Sequence, residues 1–408
     1  MRASGLSRRR VAGCLCLAVA TLIATRGRTR PIASSCSHWP VGVRFEAGRP
    51  SSGWLRLGSP SDEHVRVTAF VRGAALPAIF DSGATVTVID RAWARSLGLS
   101  LRDGFHARGL TGPMSGHFAD GVSVRLAAAT FEPVTVGVLD LDALKLSARR
   151  DIALILGQDL LASVVVEIDA ASGRANLHAA RAKDARWPGR LVTLRRAECR
   201  RHVLPLSIEG RDPIDAVLDL GSSVPLYLAP EYARAHRLLA DRKTSTALTA
   251  GGEGLEGGAI ATLSALQVGG VTIPQVPVVV PEAWNEPSPA LVGWPVLGKF
   301  RLFLDLAQDR LWLQPEPGAL RVPLPKDRSG LGMAWMDGRL VIVHVARGSP
   351  AEAIGLRVGE IIAGIDGTPV AFEDPRLRSR LGARTAGTAY RLAMADGGER
   401  RLVLEDYY

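Results

Sequence analysis

The sequence predicts a mainly β chain made of two equivalent halves about a pseudo-two-fold axis, followed by a smaller glycine-rich β/α unit. Three observations carry this. The 43 glycines and 25 prolines are spread through 408 residues that are 47% hydrophobic, which suits many short strands and turns around real cores. The chain also repeats itself: at an offset of 138 His64, Asp81, Gly83 and Val86 fall on His202, Asp219, Gly221 and Val224, and at 136 Ile155–Leu177 falls without a gap on Leu291–Leu313. Two separate blocks at nearly one offset mark an internal duplication, and two copies imply a pseudo-dimer. Third, the chain runs on past the second copy, which ends near 315, and residues 320–408 with their own glycine motifs read as a third unit.

In chain order, residues 1–25 read as an export signal. Arg2, Arg8, Arg9 and Arg10 form a basic start, Val11 to Ala24 an apolar run, and Ala18-Val19-Ala20 a small-x-small cleavage site. The run is short for a bilayer span, so the expected destination is outside the cytoplasm, secreted or periplasmic, with no stable membrane span; an anchor made of uncleaved signal is the lesser alternative. Residues 26–61 have no sustained period and read as a spacer with one short strand at 41–45. The first half, 62–178, opens with a hairpin that turns at Arg72-Gly73 and delivers Ala78-Ile79-Phe80 into Asp81. A strand at 86–89 and a short helix over 90–97 follow, then the glycine-studded stretch 104–121 and alternating strands to 138. Residues 179–199 read as a connection, 200–315 as the second half, and 320–408 as the third unit.

Asp81 and Asp219 are the candidate catalytic pair. Each follows an apolar strand and opens an Asp-x-Gly-small turn, Asp81-Ser82-Gly83-Ala84 and Asp219-Leu220-Gly221-Ser222. An acid placed where the chain leaves a core is part-buried, an expensive position for a residue that serves only solubility. Two carboxylates brought together cannot both ionise easily, so they share a proton. The ionised member can take a proton from a water attacking a carbonyl while the protonated member supports the developing oxyanion.

These residues, with the apolar-apolar-Gly motifs Ile155-Leu156-Gly157 and Leu291-Val292-Gly293, resemble the retropepsin-like aspartic peptidases over about 250 residues. The resemblance implies two β-barrel halves that each give one aspartate, Ser82, Gly83, Gly221 and Ser222 as supports of the dyad, and glycine-rich flaps over protein or peptide substrates. It implies neither metal nor other cofactor. Leu220 departs from the pattern, because the family places a hydroxyl there to tie the two acid loops together; a non-catalytic peptide-binding protein with a degenerate fold is the alternative. The tail, through Gly330-Leu331-Gly332-Met333, Gly348-Ser349-Pro350-Ala351 and Ile365-Asp366-Gly367, resembles a PDZ domain. That resemblance implies that the amides of Gly330, Leu331, Gly332 and Met333 hold the carboxylate of a C-terminal peptide ligand, with a helix at 374–381 as the groove's other wall.

Other chemistries find little support. No histidine is followed by glutamate, so there is no HExxH, and no GxSxG elbow occurs. Gly252-Glu253-Gly254-Leu255-Glu256-Gly257 spells a dinucleotide fingerprint, but a strand-like run follows it and two glutamates would repel a pyrophosphate, so it reads as a flap. The net charge is +10, of which four arginines lie before Ala20; the rest are scattered and aromatics are 5%, which argues against nucleic acid. His64 and His202 read as structural strand residues, and the tryptophans at 284, 294 and 312 as core or pocket lining. Outside the signal run only Cys36 and Cys199 remain, either as one disulfide or as two thiols.

Overall fold

The computed structural model describes residues 25–26, 41–58, 64–108, 113–142, 144, 151–180, 186–197, 201–251, 254–372, 374, 377 and 380–408. The signal run before residue 25, and Cys36 and Cys199, lie outside these residues. The longest described helices are six residues, Arg91–Ser96 and Pro230–Ala235, and strands build nearly everything else. No described helix is long and apolar enough to cross a membrane.

Each half is organised around the strand that ends in its aspartate. In the first, Arg66–Val71 and Ala74–Phe80 form a hairpin whose turn, Arg72-Gly73, has φ of 50° and 84°, the left-handed pair that matches the twist of a tight hairpin. The strand Leu154–Leu156 then lies parallel to Ala74–Phe80 and antiparallel to Val88–Asp90. The second half repeats the arrangement: Ala290–Gly293 runs parallel to Ile214–Asp219 and antiparallel to Leu226–Leu228. The apolar-apolar-Gly strand is thus threaded beside the acid strand in both copies, which the matched offsets predict.

Threading a strand there brings backbones very close. A Cβ on Gly157 would lie 2.4 Å from the Val86 carbonyl carbon, and one on Gly293 would lie 2.1 Å from the Val224 carbonyl oxygen. Glycine at these two points is therefore a packing requirement.

A six-stranded sheet joins the halves, in the order Arg190–Thr193, Arg310–Pro315, Phe300–Asp305, Val164–Asp169, Arg174–Ala179, Ser51–Arg56. At its centre Val166 faces Leu304, Glu167 faces Phe303 and Ile168 faces Leu302. The offset of 136 carries Val166 onto Leu302 and Ile168 onto Leu304, so the register crosses the equivalent residues as a two-fold axis requires. Asp169 pairs with Arg174 at 3.0 Å and Asp305 with Arg310 at 3.1 Å, one ion pair per copy at equivalent hairpin ends.

Inside the stretch 26–61 the short strand expected at 41–45 forms, and a second one that the sequence does not indicate follows it. Gly42–Phe45 pairs with Ala129–Leu139, and Ser51–Arg56 forms one edge of the joining sheet against Arg174–Ala179. Leu55 is buried there, and the Arg174 guanidinium lies 4.1 Å over the exposed Trp54 ring. Such a strand carries only one core residue and shows no alternation for sequence reading to detect. The stretch 179–199 similarly supplies the opposite edge, Arg190–Thr193.

The third unit is a separate sheet in the order Leu331–Met336, Arg339–Val345, Ile361–Ile365, Ala389–Met394, Glu399–Val403. Of the helix expected over 374–381, residues 375, 376, 378 and 379 lie outside the described residues. The unit rests on the second half. Ser245 Oγ donates to the Arg347 carbonyl at 2.5 Å, the Arg347 N–H donates to Thr246 Oγ1 at 3.2 Å, and Tyr408 packs into a cluster with Val217, Val224 and Tyr227.

Gly293→Ala is expected to destabilise the folded protein by at least about 2 kcal/mol, since a methyl must force two backbones apart. Gly318→Ala, whose Cβ would meet nothing within 4 Å, is expected to stay within about 0.5 kcal/mol of wild type. Urea unfolding of the two variants measures both.

Candidate active site

The two acid turns meet at the two-fold axis. Asp81 Oδ1 accepts from the N–H groups of Gly83 at 2.8 Å and Ala84 at 3.0 Å; Asp219 Oδ1 accepts from Gly221 at 2.8 Å. Each carboxylate also lies against the other turn's glycine. A Cβ on Gly83 would lie 2.9 Å from Asp219 Cγ, and a Cβ on Gly221 would lie 2.5 Å from Asp81 Cγ. Gly83 therefore bonds one acid through its nitrogen and touches the other through its Cα hydrogens. No residue larger than glycine fits between the two acids.

Both aspartates are fully buried. Burial, then the neighbouring Asp219 charge, pushes the Asp81 carboxyl well above the usual carboxylate range. Burial pushes Asp219 up to about 7, against the pull of the Gly221 N–H, with the Glu286 charge adding to the rise. Asp81 Oδ2 and Asp219 Oδ2 take no hydrogen bond from the described residues. One oxygen of each acid is thus oriented by its own turn, and the other remains for a proton and a substrate.

Ser82 ties the halves together. Its hydroxyl donates to the Leu218 carbonyl at 2.8 Å and accepts from the Leu220 N–H at 3.0 Å. Leu220 returns nothing equivalent: its side chain is buried in the core the halves share. The cross-link is one-sided, as the sequence indicates. Ser222 differs from its expected role. Its hydroxyl turns on its own loop, 3.4 Å from the Val224 carbonyl and 3.3 Å from the Val224 nitrogen, and it is its backbone N–H that serves Asp219.

Residues not singled out from sequence support the first acid loop. Thr87 donates through its N–H to Asp159 Oδ2 at 2.9 Å and through its hydroxyl to Oδ1 at 2.7 Å, and Gln158 Nε2 donates to the Ser82 carbonyl at 2.6 Å. Burial pushes the Asp159 carboxyl up to about 6 despite the Thr87 bonds. The offset of 136 places Trp294 and Pro295 opposite Gln158 and Asp159. That mismatch, directly after the matched glycines Gly157 and Gly293, was the available signal. On the second side Arg201 and Glu286 form an almost fully buried ion pair near Asp219.

The glycine-rich stretches form the expected hairpins, Arg102–Arg108 with Pro113–Leu126 and Thr244–Gly251 with Gly254–Val268. His202 is a strand residue bonded to the Leu306 carbonyl at 3.1 Å and Asp309 at 3.0 Å. In the third unit the loop amides are already engaged: Gly330 N–H donates to Asp327 Oδ2 at 2.7 Å and Leu331 N–H to Ser329 Oγ at 3.1 Å. Gly332 and Met333 lie in the edge strand, paired with His344 and Ile342.

The family described as aspartyl protease matches this chain twice, at residues 67–160 and 204–296. The two matched stretches carry one aspartate turn and one glycine motif each, which makes the chain similar to a duplicated retropepsin-like aspartyl protease. A search of curated proteins found no match.

Ser82→Ala is expected to lower stability by about 2–4 kcal/mol, because the Leu218 carbonyl and Leu220 N–H are left buried without partners; Ser222→Ala should stay below about 1 kcal/mol. Urea unfolding at one pH compares them. The raised acids also fix a pH trend. A carboxyl whose folded value exceeds its unfolded one gives stability that is complete below the unfolded value near 4 and is lost as pH rises through about 6 for Asp159 and about 7 for Asp219. Wild type is therefore expected to lose stability between about pH 4 and pH 7, by up to about 1.4 kcal/mol per pH unit per proton, with a shallower loss in Asp219→Asn.

Proposed function

We propose that the protein is an aspartic endopeptidase that hydrolyses peptide bonds with Asp81 and Asp219 and an activated water, exported to a secreted or periplasmic location. The observation that carries this reading is the mutual packing of each carboxylate on the other turn's glycine, which holds two acids against each other in a dry site.

At working pH the pair holds one proton and titrates as a unit. Burial raises both carboxyls, so the pair keeps one proton and its ionised member serves as the base that takes a proton from water. The protonated member donates its proton to the carbonyl oxygen as the tetrahedral centre forms; then the base gives the proton it took from water to the leaving nitrogen, the C–N bond breaks, and the other carboxyl regains its proton from a gem-diol hydroxyl. The Gly83, Ala84 and Gly221 amides fix one oxygen of each acid throughout. Extended peptide substrates lie between the two glycine-rich hairpins, whose strands offer main-chain partners.

The third unit, a PDZ-like domain, recruits substrate or partner peptides by strand addition along Leu331–Met336, which lies at the edge of its sheet. A peptide carboxylate reaches the Gly330 and Leu331 amides by displacing Asp327 and Ser329. The second reading, a non-catalytic peptide-binding protein, is favoured by Leu220 in place of a hydroxyl and by the complete burial of both acids.

Cleavage of an unfolded, apolar-rich protein separates the two. Wild type is expected to cut it, with a rate that rises from acid pH as the dyad loses its first proton, and Asp81→Asn and Asp219→Asn should each fall by at least about a thousandfold. An inert wild type that still binds the peptide establishes the second reading.

A further inference from the structure

Lys299 is a buried cation with no partner acid. It is 6% exposed, and its ammonium donates to the carbonyls of Ala319 at 2.9 Å and Val322 at 2.5 Å. No carboxylate pairs with it among the described residues. A buried charge ordinarily has a counter-charge.

Lys299 lines a cavity of about 500 Å³ at the point where all parts of the chain converge. Leu57 comes from the stretch before the first half, His64 from the first half, Ser223 and Trp294 from the second, Val322 from the segment leading to the third unit, and Arg380 from the third unit itself. Among the described residues none that lines it is acidic. Its walls are mostly apolar, and the volume suits a small ligand. Arg380 donates to Ser223 Oγ at 3.4 Å and adds positive charge to the same wall.

We propose that this cavity binds a small amphipathic carboxylic acid, with its head on Lys299 and its apolar body against Trp294, Leu57 and Val322. Of the three protons of the ammonium, two are spent on carbonyls, so one donor remains for an incoming oxygen. A singly charged carboxylate fits that better than a phosphate, which calls for several donors. Burial already pushes the Lys299 ammonium down from its usual value, and an anion would relieve this. Lys299 and Trp294 stand opposite Ser163 and Gln158 at the offset of 136, so the first copy has neither the cation nor the ring at the equivalent positions.

The test uses the full chain carrying Asp81→Asn, so that binding is read apart from any peptidase activity. Decanoate, 1-decanol and decyl phosphate are titrated by calorimetry at about pH 6.5, where a carboxylate is ionised. Decanoate is expected to bind saturably at one site, with decanol at least about tenfold weaker. Lys299→Met should abolish that preference. Val322→Glu adds a like charge at a position 60% exposed, where folding is little affected; it should weaken decanoate at least about fivefold more than it weakens decanol. Equal binding of decanoate and decanol, tighter binding of decyl phosphate, no saturable binding, or an unchanged decanoate affinity in Val322→Glu each overturns the proposal.

Discussion

Two buried carboxylates packed on each other's glycine form the constraint on which the rest of this structure depends. Like charges in a dry site repel, so the surroundings must hold the acids together by other means. The turns do this with geometry: glycine lets each loop approach the opposing acid, and the amides of the same loop stabilise the near oxygen. The threaded strands then lock the loops, since Gly157 and Gly293 admit nothing larger between backbones. The joining sheet, with its two-fold register about Glu167 and Phe303, fixes how the two loops face each other. A shift of one residue in that register would turn every side chain to the other face and part the dyad.

The duplication has not stayed symmetric. The first loop is braced by Asp159, Thr87 and Gln158 and reaches across the axis through Ser82. The second has Trp294 and Pro295 at the bracing positions and Leu220 where the reciprocal hydroxyl would sit. Its support is apolar instead, from the core around Leu220, and the Arg201–Glu286 pair lies near Asp219, whose carboxyl the Glu286 charge helps to raise. The two acids therefore sit in unlike surroundings.

Much of this was legible in the sequence because repetition turns weak signals into strong ones. One Asp-Ser-Gly turn could be any loop; two at a fixed offset, each with its Gly motif at a second fixed offset, specify a pseudo-dimer and its axis. The hairpins, the helix after Asp90 and the half cross-link at Ser82 followed from the same comparison. What escaped it was whatever has no copy or no period. Ser51–Arg56 carries one buried leucine and shows nothing periodic, yet it closes the central sheet. Asp159 reads locally as an ordinary acid on a short helix, and only tertiary contact with Thr87 reveals it as a brace. Ser222 was assigned by pattern to the acid, but a hydroxyl's direction is set by the rotamer its loop allows, which spacing does not encode.

The third unit accounts for how the second acid loop tolerates its missing cross-link. A hydrogen bond of that kind is worth on the order of 1 kcal/mol net. Tyr408, buried against Val217 and Val224, closes over the strand and loop that flank Asp219, and burying a large aromatic surface is worth at least as much. Arg380 reaches Ser223 in the same loop, while Ser245 and Thr246 fasten the neighbouring hairpin to the unit's Arg347. The loop that lost its partner across the axis is thus held from the side by a domain the first loop does not share. The same unit thus touches both the loop that follows Asp219 and the hairpin beside it.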